Sequence, residues 1–533
     1  MRILKGNYTS LLVASVLSAA SLIAYSNTFN ASFHYDDIIS IVFNENVHMK
    51  EFSLGRLLST HPPDYPLDRP LAWMTFAMNY YLGGLETFGY HLVNMVVHIF
   101  TGMGVYYLTK EIKDLACVSE DSRMVAFAAA MIWLLSPVQT ESVTYIIQRM
   151  TSMSGMFYVL SILSYVRWRV GKGGNLLIIF SIILCIASLA AKQTAITIPA
   201  IIILFEFIFF THDFKVIRTF KFISPFVIFS VLFFYMADLN PASMFKTGYA
   251  MQERLLTGGR IVIYYIGTLF FPIPSRLALV HDFQLSRGLL SPFSTLPSIG
   301  IVAALTAYSL FIMRREPFIS FFSLWFLINI LPETLHPKIE LIYDHRLYVP
   351  SVGVYAIFII LLSRVLKTRV FHMLISLLCV FFLINTYHRN MVWHDDITLW
   401  SDNVKKSPFL SVSHEGLGRA YLNMGELEKA EDELKRAKLL DPLSSLSCVG
   451  LGMIYQMRGD SELAIKELEY VASRKRMGFD VYYHGMEGDM YEMKRKFLIN
   501  GRPAEAEKMS ALWNELRPEM DDIKGMPKLK ITR

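Results

Sequence analysis

Twelve apolar windows dominate the chain and leave it few ways to fold: 9–27, 88–109, 124–138, 152–168, 174–191, 195–211, 221–238, 258–275, 293–313, 317–335, 348–363 and 369–387. A helix needs roughly 20 such residues to cross the hydrocarbon of a bilayer, and only helices or closed barrels satisfy their backbone there. Most windows have that length; 124–138 is short. With 53% hydrophobic residues, 14% aromatics and a mean hydropathy of +0.38, the composition excludes an ordinary soluble enzyme and predicts a polytopic membrane protein.

Basic residues orient the windows. Arg2 and Lys5 precede the first, and Lys110/Lys113/Arg123, Arg167/Arg169/Lys172, Lys215/Arg218/Lys221, Arg314/Arg315 and Arg364/Lys367/Arg369 fall between later ones, marking the cytoplasmic side. The first loop, 28–87, and everything after residue 387 are then expected outside. An even number of crossings contradicts that, so one window must not span. The stretch 239–275, bracketed by Gly258-Gly259 and Phe271-Pro272-Ile273-Pro274, is the expected exception, which leaves about eleven helices. The net charge of +6 is spread over inside loops and tail and reads as topology rather than nucleic-acid binding. Cys117, Cys185, Cys379 and Cys448 form neither a disulfide framework nor a metal spacing.

After residue 387 the chain turns polar and acquires a 34-residue period: Leu417-Gly418, Tyr421, Gly425, Ala430 and Leu434 return as Leu451-Gly452, Tyr455, Gly459, Ala464 and Leu468. That period resembles tetratricopeptide repeats, pairs of helices stacked into a solenoid. Gly418 and Ala430 allow close helix crossing, and Pro442 stops the second helix. A degenerate third copy (Phe497, Gly501, Ala506, Pro518) follows an insertion of eight residues, and a half-repeat precedes the first. The expected domains are a membrane domain 1–387, a connecting half-repeat 388–408, repeats 409–520 and a tail 521–533. The stack is expected to hold a partner or to act as a folded spacer.

Ionised groups near a bilayer are costly unless they face water, a cavity or a partner. Asp36 and Asp37, in Phe33-His34-Tyr35-Asp36-Asp37, open the first outside loop and are the leading acid candidates. A second doublet, Asp395-Asp396, precedes a predicted helix and reads as helix capping. Glu141, Tyr145, Gln148 and Arg149 stand at helical spacing and predict an outside-facing ridge carrying an acid and a base. Arg69 in the first loop, Lys192 at a helix junction, and Glu333 with His345, Arg346 and Tyr348 fall on the same expected side. A sealing network of surface ion pairs is the plainer reading of these groups. His91, Asn94 and His98 share a helix face; the two histidines stand about 10 Å apart along it, too far to chelate one ion. Helix-contact histidines and a cavity lining both account for them.

In order, Tyr35-Asp36-Asp37, Arg69-Pro70-Leu71, Tyr90-His91-Leu92-Val93-Asn94 with His98, Pro137 to Glu141 with Tyr145 and Arg149, and Arg346-Leu347-Tyr348-Val349-Pro350-Ser351-Val352-Gly353 resemble the GT-C membrane glycosyltransferases. The resemblance is strongest to the tetratricopeptide-bearing O-mannosyltransferases, which include transmembrane enzymes acting on cadherins. It implies an all-α GT-C membrane domain followed by a repeat solenoid. It also implies an inverting transfer of mannose or a similar hexose from a polyprenyl-phosphate carrier to a protein hydroxyl on the outer face. One departure stands out: where the family pattern reads His-Pro-x-His-x-Glu, this chain has Ser136 and Gln139.

On that reading Asp36, Asp37 and Glu141 are the catalytic candidates, since a hydroxyl nucleophile needs a carboxylate to accept its proton. Arg149, Arg346, Lys192 and Arg69 are the candidates for the donor phosphate. His91, Asn94, His98, Tyr145, Gln148, His345 and Tyr348 would line the cavity. A divalent cation on Asp36 and Asp37 is the disfavoured alternative, because neighbours in an extended loop point apart. The repeats would hold the acceptor protein. The compact chain and short repeat array point to a prokaryotic plasma membrane, with an endoplasmic-reticulum membrane and lumenal repeats the eukaryotic counterpart. A non-catalytic scaffold, a lipid-linked-sugar flippase and a polysaccharide ligase are the rival functions.

Overall fold

The computed structural model describes residues 2–60, 69–117, 121–210, 223–228, 230–231, 251–335, 340–442, 444–476, 486–499 and 501–516. Among these, regular structure is helical, with one isolated β-bridge at Gly288 and Ser291. The expected all-α class is what the chain adopts. It divides into two compact units. The first comprises Met1–Ala31, Asn46–Leu279 and Phe283–Met391; the second comprises Ser32–Glu45, Val280–Asp282 and Val392–Arg533.

The first unit is built from α1 (Arg2–Ala24), α2 (Pro70–Gly83), α3 (Thr87–Leu115), α4 (Ser122–Leu135), α5 (Thr140–Thr144), α6 (Arg149–Arg169), α7 (Leu176–Ala191), α8 (Ile198–Phe209), α9 (Met251–Phe270), α10 (Thr295–Phe311), α11 (Pro317–Leu335), α12 (Ser351–Val365) and α13 (Thr368–Val392). Three of these, α3, α11 and α13, are long and apolar enough to cross a membrane by themselves. α4 and Pro137–Thr144 are long and apolar enough only together, as a pair bent by 51° that fits a broken span or a re-entrant loop, and several shorter apolar helices accompany them. Pro137 explains the break: it has no N–H to donate and disfavours helix at Ser136, whose φ and ψ are extended. The short window read at 124–138 is the first limb of this bent element. α9 is not among the helices long and apolar enough to cross a membrane, and residues 239–250 of the expected non-spanning stretch lie outside the described residues.

α3, α4, α6 and α7 pack around a core that includes the buried Trp133, Tyr158, Tyr165 and Trp325. Close approach is enforced at Gly155, where a Cβ would lie 2.6 Å from the Tyr348 ring. Several polar residues inside this core bond to one another across helices, where water is excluded. Thr144 donates to Asn390 (2.9 Å), Asn390 donates to the Ala24 carbonyl (3.1 Å), and Thr386 donates to the Leu135 carbonyl (2.7 Å), tying α1, α4, α5 and α13 together.

The second unit contains α14 (Asp396–Lys406) and three helix pairs: α15 (Ser411–Asn423) with α16 (Leu427–Leu440), α17 (Ser445–Arg458) with α18 (Ser461–Arg476), and α19 (Met486–Ile499) with α20 (Pro503–Leu516). α17 and α18 each begin 34 residues after α15 and α16, so the period in the sequence is the period of the helical repeats. Gly418 does what the pattern requires: a Cβ there would meet Leu434 at 2.7 Å and the Ala430 carbonyl at 3.2 Å. α16 ends at Leu440, directly before Asp441-Pro442. Phe497 and Ala506, the markers of the degenerate copy, are buried in the core of the last pairs.

Candidate functional site

A cluster of ionised side chains is assembled inside the first unit from residues far apart in sequence. Lys192 follows the last turn of α7, Glu333 lies in the last turn of α11 behind Pro332, and His345 and Arg346 belong to a 3-10 turn, Asp344–Leu347. The Lys192 ammonium stands 2.8 Å from one Glu333 oxygen, and Arg346 Nε stands 3.5 Å from the other. Lys192 also donates to Thr151 (2.9 Å), and Arg346 donates to the Leu341 carbonyl (2.9 Å). Both cations are nearly buried, at 8% and 5% exposure. Isolated charges at such depth are expensive, so the cluster holds together as a network or not at all.

Glu141 sits beside it. Its carboxylate accepts from the His345 backbone N–H (2.9 Å) and stands 2.8 Å from His345 Nδ1. With the carboxylate ionised, Nδ1 carries the ring proton, because an acid anion can only accept. Burial first, then the charges of Lys192 and Arg346, hold the His345 imidazole well below the usual histidine range, so the ring is neutral. Burial likewise lowers Lys192, with Arg69 and Arg346 adding to it while Glu333 opposes.

The backbone around the cluster is pinned. Tyr265 donates to the Tyr343 carbonyl and accepts from its N–H (3.0 and 3.1 Å). Trp133 and Trp325 donate to the carbonyls of Tyr348 and Val349 (3.1 and 2.9 Å). Arg254 donates to the carbonyls of Thr334, Glu333 and Glu340, closing the end of α11 with a cation where helix carbonyls are unpaired. Such support lets charges stay fixed rather than reorganise when a ligand charge arrives.

Arg69 takes the left-handed conformation (φ 54°), uncommon for a side chain with a Cβ, and initiates α2 just before Pro70. It donates to Gln193 (3.2 Å), next to Lys192, and to Met150 Sδ (3.3 Å). Arg149 is deeper and more fully engaged: it donates to Asn94 (2.7 Å), Asn79 (2.6 Å), Thr75 (3.3 Å) and the Tyr90 carbonyl (2.9 Å), beneath the Phe76 ring. Its guanidinium therefore ties α2, α3 and α6 together.

The outside-facing ridge read from helical spacing is not present. Glu141 ends up in α5, Tyr145 at the extended link after it, Gln148 in a separate 3-10 turn, and Arg149 at the start of α6; Glu141, Tyr145 and Arg149 are 3%, 2% and 0% exposed. The helix stops at Thr144, because Tyr145 takes an extended conformation (φ −71°, ψ 111°), and the fragments turn inward. Gln148 accepts from Thr151 (2.7 Å). His91, Asn94 and His98 do share a face of α3, and all three are buried. His91 stands 3.1 Å from the Ala31 carbonyl, Asn94 donates to the Val143 carbonyl (3.0 Å), and His98 bridges the Tyr348 hydroxyl (3.0 Å) and the Leu134 carbonyl (3.1 Å). Tyr348 in turn donates to Thr101 (3.2 Å). At the two positions that depart from the family pattern, Ser136 meets Tyr355 (2.6 Å) and Gln139 donates to Ser351 (3.0 Å), so both bond to α12.

Asp36 and Asp37 belong to the second unit. They occupy a helical turn entering a π-helix, Ile38–Val42, rather than the extended loop expected for them. Asp36 is exposed; Asp37 is fully buried and accepts from the His34 N–H (3.0 Å), while its own N–H donates to the His34 carbonyl (2.8 Å). Tyr35 between them and His34 is left-handed, with φ at 45°. Sequence reasoning named Glu333 but gave it no role. The signal was there: a carboxylate at the end of an apolar helix wants a cation.

No family model matches the chain. It is similar to curated proteins from animals. These are protein O-mannosyl-transferase Tmtc1 of Drosophila melanogaster (34% identical, over 34% of this chain and 21% of the relative), a protein O-mannosyl-transferase of Caenorhabditis elegans (25%, over 80% and 62%) and Tmtc3 of Drosophila melanogaster (24%, over 78% and 53%). The chain thus spans between about a fifth and three-fifths of the length of these relatives. The resemblance drawn from the ordered motifs is the resemblance these comparisons find.

Proposed function

We propose that this protein, like the O-mannosyl-transferases it resembles, transfers mannose to a protein hydroxyl, and that it takes the sugar from a polyprenyl-phosphate carrier on the outer face of the membrane. The observation that carries the reading is the buried pairing of Lys192 and Arg346 on Glu333 beside the His345–Glu141 clamp. Fixed cations in a dry setting are what a departing lipid phosphate needs as its charge grows. Arg346 offers a planar fork and Lys192 a point charge, with Arg69 bonded to the neighbouring Gln193.

In the transfer, the acceptor oxygen attacks the anomeric carbon from the face opposite the phosphate. The carbon–oxygen bond to the lipid phosphate breaks, that phosphate leaves with the electron pair, and the hydroxyl proton passes to a carboxylate. Asp36 is the base, since it is the exposed member of the pair. Asp37, buried and bonded within its own turn, orients it. The unequal placement of the two carboxylates suits these separate roles better than a shared cation. Glu141 fixes the His345 ring and hence the loop that carries Arg346. The helical repeats present the acceptor protein, raising its local concentration without new chemistry.

The test is transfer of labelled mannose from polyprenyl-phosphate mannose to protein acceptors by the purified full chain in lipid nanodiscs. Asp36→Asn is expected to lower kcat by about 10²- to 10⁴-fold with little change in donor KM. Arg346→Gln is expected to lower kcat/KM for donor while leaving the acceptor KM in place. Absence of transfer by the wild-type chain, or wild-type rates in Asp36→Asn, overturns the assignment.

A further inference from the structure

The second acidic doublet is not a single device. Asp395 caps α14 as the sequence suggests: its carboxylate accepts from the Thr398 N–H (2.8 Å), and Thr398 Oγ1 accepts from the Asp395 N–H (3.3 Å), a reciprocal capping box. Asp396 does something else. Its Oδ1 lies 2.7 Å from Nδ1 of His34, a residue 362 positions earlier. The other ring nitrogen, Nε2, lies 2.7 Å from the carbonyl of Trp393, its nearest partner, with the Ser32 hydroxyl farther off at 3.4 Å.

A carboxylate and a carbonyl are both acceptors, so both ring nitrogens of His34 must donate, and only the imidazolium can do that. A neutral ring would turn one lone pair onto an oxygen. The ring is buried at 1% exposure and stands edge-on to the Trp393 indole, with centroids 5.9 Å apart. The Ser32 N–H donates to the His394 carbonyl (3.2 Å) alongside. The charged groups that act on the ring are Asp396 from α14 and Asp37 from its own turn. The exposed His394 pairs with Asp395 instead.

His34 also holds the first doublet, through the paired backbone bonds with Asp37 described above. One residue therefore joins Asp36-Asp37 to the helix that leads into the repeats, and all of its partners belong to the second unit. Next to it, Tyr35 meets the Trp400 ring of α14 edge-on (5.5 Å).

We propose that His34, as an imidazolium, is a positioning residue for transfer: it locks the turn bearing the base Asp36 to the first helix of the repeat domain, so that base and acceptor-presenting repeats are held as one body. The role rests on the transfer reading above. Burial opposes the charge on the ring, but the Asp396 bond and the charges of Asp396 and Asp37 outweigh it and raise the His34 pKa above the ordinary histidine value. A pKa raised on folding means that the lock is fully present below the unfolded value, roughly 6.5, and is lost as pH rises through the higher folded value.

The experiment uses the full chain in nanodiscs, without and then with substrates. In the substrate-free arm, thermal unfolding of the second unit is followed from pH 5.5 to 9 by hydrogen exchange of the Ser32–Glu45 and α14 peptides. Wild type is expected to lose protection on the alkaline side. His34→Gln and Asp396→Asn should each flatten that dependence, and the double variant should add nothing further. Asp395→Asn, which alters the cap and the exposed pair with His394 but leaves His34 and its partners in place, should keep the wild-type pH profile. In the transfer arm, His34→Gln and Asp396→Asn should lower kcat several-fold, remove the alkaline fall in kcat, and leave donor KM unchanged. A pH profile retained in both variants, or additive effects in the cycle, overturns the proposal. Failure of wild type to transfer mannose strikes the functional reading alone, because the substrate-free cycle reports the lock independently of turnover.

Discussion

The first unit and the helical repeats of the second differ in how they handle most of their charge; the part-buried His34–Asp396 pair, 362 positions apart, follows the pattern of the first. In the first, Lys192, Arg346, Glu141 and Arg149 are nearly buried, Glu333 is partly so, and most of their pairings cross long stretches of sequence. In the repeats, pairs such as Glu431–Lys435 and Glu426–Lys429 lie one helical turn apart, on side chains that for both lysines are more than half exposed. An exposed pair one turn apart is worth little and forms in any helix, whereas a buried network exists only in one fold and fails as a whole. The membrane unit therefore concentrates its sensitivity in a few residues, and the repeat unit spreads it along a periodic interface.

Substitutions can break or sharpen that contrast. The largest expected effect is Lys192→Met, which strands Glu333 with Arg346 at 3.5 Å and should cost about 3–5 kcal/mol, read as a fall in the detergent unfolding transition. A loss below 1 kcal/mol would place the first unit's charges in the same class as the surface pairs. Next is Gly418→Val. The added Cβ would lie 2.7 Å from Leu434, so overpacking between α15 and α16 should cost about 1–3 kcal/mol, measured by denaturant unfolding with a probe in the repeats. The smallest is Asp395→Ala, which removes an N-cap and should cost about 1 kcal/mol. If Asp395→Ala proved as damaging as Lys192→Met, the division between local and long-range charge would fail.

Legibility in the sequence follows the same division. The helix pairs of the repeats were readable because each helix repeats its small and large positions at a fixed interval, so Gly418 and Ala430 announce the close crossing that the structure shows. The order of motifs along the membrane half was enough to show the resemblance to O-mannosyl-transferases that the comparisons also find. The Glu141-to-Arg149 ridge misled because helical spacing has meaning only in an unbroken helix, and this one is interrupted at the extended Tyr145. Asp396 misled for a different reason: capping explains Asp395 fully, and nothing local shows that its neighbour is committed to His34.

By itself, then, the sequence determined the elements: apolar lengths that suit a bilayer, a 34-residue helical repeat, and acids and bases too costly to bury without a purpose. Tertiary structure alone decided which charges meet. It gave Glu333 to Lys192 and Arg346, gave Glu141 to His345, saturated Arg149, and separated exposed Asp36 from buried Asp37. Hydrophobic periodicity is a local property that each segment carries with it. The pairing of buried charges is set by desolvation, which no segment experiences until the others have closed around it.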